Sequence, residues 1–422
     1  MVEESILTDD FLRQLIDVGE VDILVGLPTH NNAETVGSVV QAIQAGVLKS
    51  FARERVVIIN ADGGSGDGTP DLITGASISD VRRVSNVHAL RTLHSISTQY
   101  SSSPEAGTAL RTILAAAELL RAKACAVVSP ESVNFQPDWI ERLLRPIYSD
   151  GFDFVSPLYR RHKFEGLLMR NLLYPMTRAI YGKRVREPYA SEFGFSARLG
   201  SEFLRQEIWD HEAGQTGAEI LLTTLAIAGG YRMQQDFLGT KNPVEHSPRD
   251  LVPAMRQTVG ALFWSLENNV PLWSAIHESQ TVPTQGCEQE VTLEPVRINR
   301  KRLYDMFRSG ISELEPVLNS ILSAATLSEL QRAAMSSEDV FRYPAELWVK
   351  TVYEFAASYH QSVISRDHVI QALVPLYRGR TFTFLMENLD ASAEQVENNV
   401  ELLCLEFERS KPYLLELWNG KK

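Results

Sequence analysis

Two short apolar runs, each passing straight into a loop of polar and turn-forming residues, limit what this chain can fold into. Val21-Asp22-Ile23-Leu24-Val25-Gly26-Leu27 leads into Pro28-Thr29-His30-Asn31-Asn32-Ala33-Glu34-Thr35. Val56-Val57-Ile58-Ile59-Asn60 leads into Ala61-Asp62-Gly63-Gly64-Ser65-Gly66-Asp67-Gly68-Thr69-Pro70. Short, nearly unbroken aliphatic runs between turn signals read as strands buried on both faces, the condition of a parallel sheet. After the first run, Val36, Val39, Val40, Ile43 and Val47 recur at helical spacing, so a helix crosses back over the sheet. Open parallel sheets bind ligands at the carboxyl ends of their strands, where both loops would lie.

The rest of the chain extends this pattern. Thr8-Asp9-Asp10-Phe11 reads as a capped helix start. Asn31 with Glu34 resembles a capping box, and Thr69-Pro70 opens the next helix with a cap and a first-turn proline. A third strand is expected near Val87-His88-Ala89-Leu90, followed by a loop over Ser97 to Ser103. Gly107 to Lys123 reads as a helix, Ala124 to Val128 as a buried strand, and Pro137-Asp138-Trp139 as another helix start. Phe152 to Leu158 is the next strand, and Phe164–Tyr181 a long helical piece. Strand signals nearly vanish after Asp250, and the loop carrying Pro283, Gly286 and Pro295 reads as a hinge or boundary. The expected fold class is therefore α/β, a Rossmann-like, mostly parallel sheet with helices on both faces and an all-helical C-terminal extension. The expected division is a sheet domain over 1–250 and a helical region over 251–422.

The formal net charge of −12 argues against broad nucleic-acid or anionic-membrane binding, which needs a basic field. Cys125, Cys287 and Cys404 are far apart and odd in number, fitting reduced thiols in a cytoplasmic chain and no zinc pattern. The acidic N-terminus lacks a signal-peptide pattern, and no stretch approaches the ~18 apolar residues of a membrane span. No membrane partner and a soluble acceptor are expected.

The two loops look like the donor-sugar half of a GT-A glycosyltransferase, in which P-x-x-N-E/N-x-x-T precedes D-x-G-S-x-D-G-T. Such an enzyme must hold a nucleoside, neutralise a diphosphate leaving group and place an acceptor hydroxyl against the anomeric carbon. Pro28, Thr29, Asn31, Glu34 and Asp62 are the nucleoside candidates. Glu34 also fits a helix cap, and Gly63-Gly64 a plain turn. At the end of the fourth strand, where an Asp-x-Asp is expected, the chain reads Ser129-Pro130-Glu131. Glu131 remains a candidate Mg2+ or Mn2+ ligand, because magnesium takes a single carboxylate together with substrate phosphates. His246 is a candidate further ligand, and Lys241 either balances phosphate charge or is solvated. Glu192 and Glu219 are candidates for orienting the acceptor or the reacting sugar, although Glu219 also completes a capping-box pattern with Thr216. Arg160 and Arg161, with His162 and Lys163 behind them, suit an acidic acceptor or a solvated loop.

More specific resemblances run from about Val21 to Leu251. Pro188-Tyr189-Ala190-Ser191-Glu192 looks like the Pro-Leu-Ala-Gly-Glu of the glucosyl-3-phosphoglycerate, glucosylglycerate and mannosyl-3-phosphoglycerate synthases. Gly217-Ala218-Glu219-Ile220 looks like their Gly-Val-Glu-Ile, and Leu238-Gly239-Thr240-Lys241 with a later histidine also fits. The resemblance implies a retaining hexosyltransferase that uses a nucleotide-diphosphate sugar, a divalent metal and a small acidic acceptor such as glycerate or 3-phosphoglycerate. Its product class would be a glucosylglycerate-type compatible solute. The chain departs from that pattern in lacking the first carboxylate of Asp-x-Asp. It also has Glu105-Ala106-Gly107 where the family carries Gly-Lys-Gly, so Gly107 is retained without the lysine. His246 lies several residues late. These departures keep a second reading open: a catalytically altered protein that senses a nucleotide sugar or scaffolds a partner. A nucleotidyltransferase would need a glycine- and basic-rich phosphate loop after the first strand, and Pro28-Thr29-His30-Asn31 is not one. In the C-terminal region, Tyr377-Arg378-Gly379-Arg380 and Phe382-Thr383-Phe384 suit core packing, closure over the site or a homodimer face.

Overall fold

The computed structural model describes residues 6–74, 93–99, 106–241, 251–286 and 298–420. The chain forms two compact units. The first comprises Met1–Arg160, Ala190–Ser247 and Val282–Glu290, and the second Arg161–Tyr189, Pro248–Thr281 and Val291–Lys422. Residues 161–189 thus pack with the C-terminal helices rather than with the sheet.

In the first unit the aliphatic runs become strands enclosed on both faces. Helix α1 (Asp9–Val18) begins at Thr8, whose side chain accepts from the Phe11 amide. Strand β1 (Ile23–Thr29), α2 (Ala33–Ser50) and β2 (Val56–Asp62) follow, and β1 and β2 are buried along almost their whole length. Helix α3 begins at Thr69 and is described as far as residue 74. Then come β3 (Leu93–Gln99), α4 (Ala106–Leu119), β4 (Ala124–Val127), α5 (Pro137–Tyr148) and β5 (Phe154–Arg160). Helix α6 (Tyr174–Tyr181) belongs to the second unit. The sheet resumes with β6 (Phe193–Ser196), α7 (Ala197–Leu204), α8 (Glu212–Thr216), α9 (Ala218–Ala228), β7 (Met233–Thr240) and β8 (Thr284–Gln285).

The eight strands lie in the order β3-β2-β1-β4-β6-β5-β7-β8. Among the described strands only β6 runs antiparallel to its neighbours, so the carboxyl ends of β1, β2, β4, β5 and β7 share one edge with the start of β6. The expected mostly parallel α/β architecture is present. Val36, Val39, Val40 and Ile43 of α2 join Trp139, Ile140 and Leu143 of α5 in one core on the sheet. The two helices meet so closely at Gly46 that a Cβ there would lie 2.2 Å from the Pro137 carbonyl oxygen.

Some local expectations fail for identifiable reasons. The expected third strand at 87–90 lies outside the described residues, and β3 instead includes Ser97–Gln99, read from the sequence as loop. Their polarity suits a strand that, among the described residues, has a neighbouring strand on one side. Asn31 and Glu34 form no capping box; the helix starts after Asn32, whose side chain makes no cap bond. Thr216 ends α8 and donates to the Glu212 carbonyl, so it does not cap α9 with Glu219. A short strand also appears beyond Asp250, where Thr284 and Gln285 pair with Gln235 and Asp236.

The second unit is helical: α6, α10 (Val252–Met255), α11 (Ala261–Asn268), α12 (Val270–Ser274), α13 (Arg300–Glu313), α14 (Glu315–Ile321), α15 (Ala324–Met335), α16 (Ala345–Gln361), α17 (Arg366–Glu387) and α18 (Ala393–Trp418). A π-helical turn, Met169–Leu173, runs into α6, and another, Arg256–Gly260, into α11. The Tyr377–Phe384 stretch is core: Phe382 packs against Tyr304 and Phe341, and Thr383 accepts from the Tyr343 amide. Among the described residues, no helix is long and apolar enough to cross a membrane.

Arginines of the 161–189 segment pin it to α18. Arg178 has no exposed side-chain area, and its guanidinium grips both Glu401 oxygens at 2.6 and 2.8 Å and Glu408 at 2.8 Å. Burial alone would lower its pKa, but these acids reverse the shift and hold the charge. Arg170 and Arg186 both pair with Glu397. Replacing Glu401 by alanine leaves a buried guanidinium without its bidentate partner. The expected loss is about 1–3 kcal/mol, measured by urea unfolding; an unchanged unfolding free energy would contradict this account of the segment.

Candidate functional site

The loops after β1 and β2 form one hydrogen-bonded structure. Thr29 ends β1 directly opposite Asp62, which ends β2. Asp62 is 3% exposed and accepts from Thr29 Oγ1 (2.9 Å), Ser65 Oγ (2.6 Å), Gly64 N (3.0 Å) and Ser65 N (2.8 Å). A carboxylate offers about four lone-pair sites, and these donors fill them. Thr29 Oγ1 also lies 2.7 Å from Asn60 Oδ1. With these bonds Asp62 shapes its own loop.

Side chains then stitch one loop to the other. Asn31, held at φ 53°, donates its backbone amide to Ser65 Oγ at 2.9 Å. Its Oδ1 accepts from the Gly66 amide at 2.9 Å. Asparagine tolerates this left-handed conformation better than most residues. His30 Nδ1 lies 3.1 Å from the Gly63 carbonyl and its Nε2 3.0 Å from Asn31 Nδ2, which fits a neutral ring protonated on Nδ1. Asp67 accepts from the Ala33 amide at 2.9 Å and from Thr69, capping the start of α2 from the neighbouring loop. The Thr69 hydroxyl and the Ala33 amide hold the Asp67 carboxyl below its ordinary pKa. This cross-loop cap replaces the expected Asn31–Glu34 box and leaves Glu34 exposed in the first turn of α2. Pro28 is part-exposed beyond the end of β4, whose pairing with β1 stops at Gly26.

Glu131 stands exposed in the turn after β4 at the same edge, with Asn32 Nδ2 3.4 Å from its Oε1. Among the described residues no three His, Cys, Asp or Glu side chains gather into a metal cage. Glu131 has open lone pairs for a hard cation that also binds ligand phosphates, so the residues present fit that arrangement and not a closed protein site. His246 lies outside the described residues.

Behind Glu131 lies a buried ionic cluster. Glu192, just before β6, has no exposed area. It accepts from Ser132 Oγ, from Tyr159 OH at 2.5 Å and from Lys241 Nζ at 2.8 Å. Burial pushes its carboxyl up; the Lys241 charge and the three hydrogen bonds outweigh that and hold it below 4.5. Lys241 Nζ also reaches Ser191 Oγ at 3.2 Å and lies 5.2 Å from the centre of the Tyr159 ring. Tyr159 in turn packs against the buried Trp139. Glu192 is thus enclosed, with protein groups as its partners. Neither Ser132 nor Tyr159 stood out in the sequence, although an aromatic hydroxyl near a strand end was visible there.

Glu219 is different. It lies in the first turn of α9, its Oε2 is buried without a hydrogen-bond partner among the described residues, and burial pushes its carboxyl up to about 7. Gly107 opens α4 against α8, where a Cβ would lie 2.0 Å from the Gly214 carbonyl oxygen. Close packing thus requires a residue without a Cβ at position 107. Arg160 closes β5 opposite Thr240. Arg161 belongs to the second unit, where it forms a two-pronged pair with Glu187 at 3.0 Å on each prong. Lys163 donates to the Leu389 and Ala391 carbonyls, so much of this basic run holds its own unit together.

The chain is similar in structure to glucosyl- and mannosyl-3-phosphoglycerate synthases. A glucosyl-3-phosphoglycerate synthase from Mycobacterium tuberculosis, in complex with Mn2+, UDP and phosphoglyceric acid, is 19% identical with a TM-score of 0.42. The match covers 63% of this chain and 84% of that one. The mannosyl-3-phosphoglycerate synthase from Rubrobacter xylanophilus is 18% identical with a TM-score of 0.40, over 63% of this chain and 78% of that one. No family profile and no curated protein sequence matches. The roles given to residues here follow from their own geometry.

Lys241→Met strands a buried anion and is expected to cost about 3–5 kcal/mol near neutral pH. In the wild type the depressed Glu192 pKa contributes stability above 4.5, lost as pH falls through the folded value. Without Lys241 that pKa rises, so protonation relieves the variant and its deficit shrinks toward pH 5. Urea unfolding at pH 7.5 and 5 measures this; a deficit independent of pH would contradict the ion-pair assignment.

Proposed function

We propose that this protein is a hexosyltransferase. It would move glucose or mannose from a nucleotide-diphosphate sugar to a small acidic hydroxyl compound such as glycerate or 3-phosphoglycerate. The observation that supports this most is the convergence of the two locked loops, Glu131 and the Lys241 ammonium at one sheet edge. Pro28, Thr29 and Asn31 would present the donor-binding surface, with Asp62 holding that surface in shape. Glu131 would hold Mg2+ or Mn2+, which when bound neutralises the leaving diphosphate. Lys241, partly exposed and paired with Glu192, suits the diphosphate or an acidic acceptor.

In the reaction the bond from the anomeric carbon to the diphosphate oxygen breaks, and a bond to the acceptor oxygen forms. The acceptor proton passes to the departing diphosphate in a retaining reaction, so no separate protein base is required. Glu219 would bind a sugar hydroxyl, which satisfies its unpartnered Oε2. With a carboxyl near 7, its role would give the rate an inflection around neutral pH that Glu219→Gln removes.

The filled Asp62 and enclosed Glu192 favour a second reading, a nucleotide-sugar sensor without turnover. Calorimetric titration with UDP and GDP, with and without Mn2+, followed by incubation with UDP-glucose or GDP-mannose and each acid, separates the two. The transferase reading expects metal-dependent binding of one nucleotide, weakened at least tenfold by Glu131→Gln, and release of that nucleotide only when an acid is added. Binding without release in any combination would favour the sensor, and absence of nucleotide binding would overturn both.

A further inference from the structure

Glu131 stands where a paired-carboxylate motif is expected, and the turn that carries it sets its direction. The turn that carries it is Ser129-Pro130-Glu131-Ser132. At its front, the Glu131 amide is 3.2 Å from Ser129 Oγ, and the carboxylate makes a long contact to Asn32 at 3.4 Å. At its back, Ser132 is 2% exposed and points inward, where its hydroxyl donates to Glu192 Oε1. The other Glu192 oxygen accepts from Tyr159 on β5 and Lys241 after β7. One enclosed carboxylate thus joins the exits of β4 and β7 to the end of β5. Asn134, two residues further, donates to the Thr240 carbonyl and fastens the same turn to β7 a second time.

We infer that Ser132, clamped by Glu192, is a positioning residue for Glu131, fixing from behind the direction in which that carboxylate meets a divalent cation. The inference rests on the functional reading above, since it needs Glu131 to be the cation's protein ligand. The physical argument is one of freedom. A lone carboxylate on an exposed turn samples many orientations, and each lost orientation costs entropy when the cation binds. The Ser132–Glu192 bond removes part of that freedom before binding. Groups that orient a metal ligand typically matter about 10- to 100-fold in affinity. Within the turn, backbone bonds from Ser132 to the Ser129 carbonyl (3.4 Å) and from Val133 to the Glu131 carbonyl (2.8 Å) set the local bend, and the Ser132–Glu192 bond anchors that bend to the sheet.

The test is Mn2+ affinity, read from the free-ion electron paramagnetic resonance signal with saturating UDP, alongside metal-free UDP affinity by calorimetry. Ser132→Ala is expected to weaken Mn2+ by about 10-fold or more while leaving metal-free UDP binding unchanged. Ser132→Thr, which keeps the hydroxyl, is expected to restore most of the affinity. Glu192→Gln is expected to weaken Mn2+ likewise, but it alters the buried charge, so Ser132→Ala and its threonine rescue decide. UDP bound normally with wild-type Mn2+ affinity in Ser132→Ala would overturn this inference alone. Failure of the wild-type protein to bind UDP would overturn the functional reading and this inference with it.

Discussion

A carboxylate removed from water stays ionised only if the protein replaces what water supplied. Glu192 meets that condition with an ammonium and two hydroxyls drawn from three different strand ends. The arrangement constrains much of the sheet's functional edge. Lys241 must come back along β7 to meet Glu192, Tyr159 must stand at the end of β5 against Trp139, and the β4 exit must turn so that Ser132 faces inward. Glu131 is then left facing outward. The energetic core of the site and its outward chemistry are adjacent residues on one turn.

The donor edge is built on a different principle. There, single polar side chains bond to the backbone of the neighbouring loop, and few polar atoms are left idle. Asp62 fills its acceptor sites on one loop, Asp67 caps the helix of the other, and Asn31 bridges both ways. Such a lock lowers the entropy cost of presenting a binding surface. It also explains why these loops are rich in Asp, Asn, Ser and Gly: each supplies a short side chain or a positive φ where the backbone has to turn.

Much of the architecture was legible because it rests on periodicity and apolar runs, which are local properties. The buried runs at 23–27 and 56–60, the α2 stripe and the helical C-terminal region are of this kind. What misled was pairing at a distance. Thr216 and Glu219 satisfy a capping pattern, yet Thr216 ends one helix and Glu219 begins another. Glu192 and Asp62 have the residue type of ligands, and their burial and supply of protein donors are not visible in local spacing. Arg161 reads as a free cation until Glu187 is found beside it. Ser132 was unremarkable because a serine after an acid carries no pattern at all. Its importance arises only when β4, β5 and β7 bring their ends together.

The most direct measurement is a crystal structure of the protein with UDP and Mn2+. The account expects Mn2+ bound by Glu131 and the diphosphate, the nucleoside against Pro28 to Asn31, and Glu192 still enclosed on Ser132, Tyr159 and Lys241. Glu192 turned outward onto the metal or the ligand, with its protein partners released, would contradict the account.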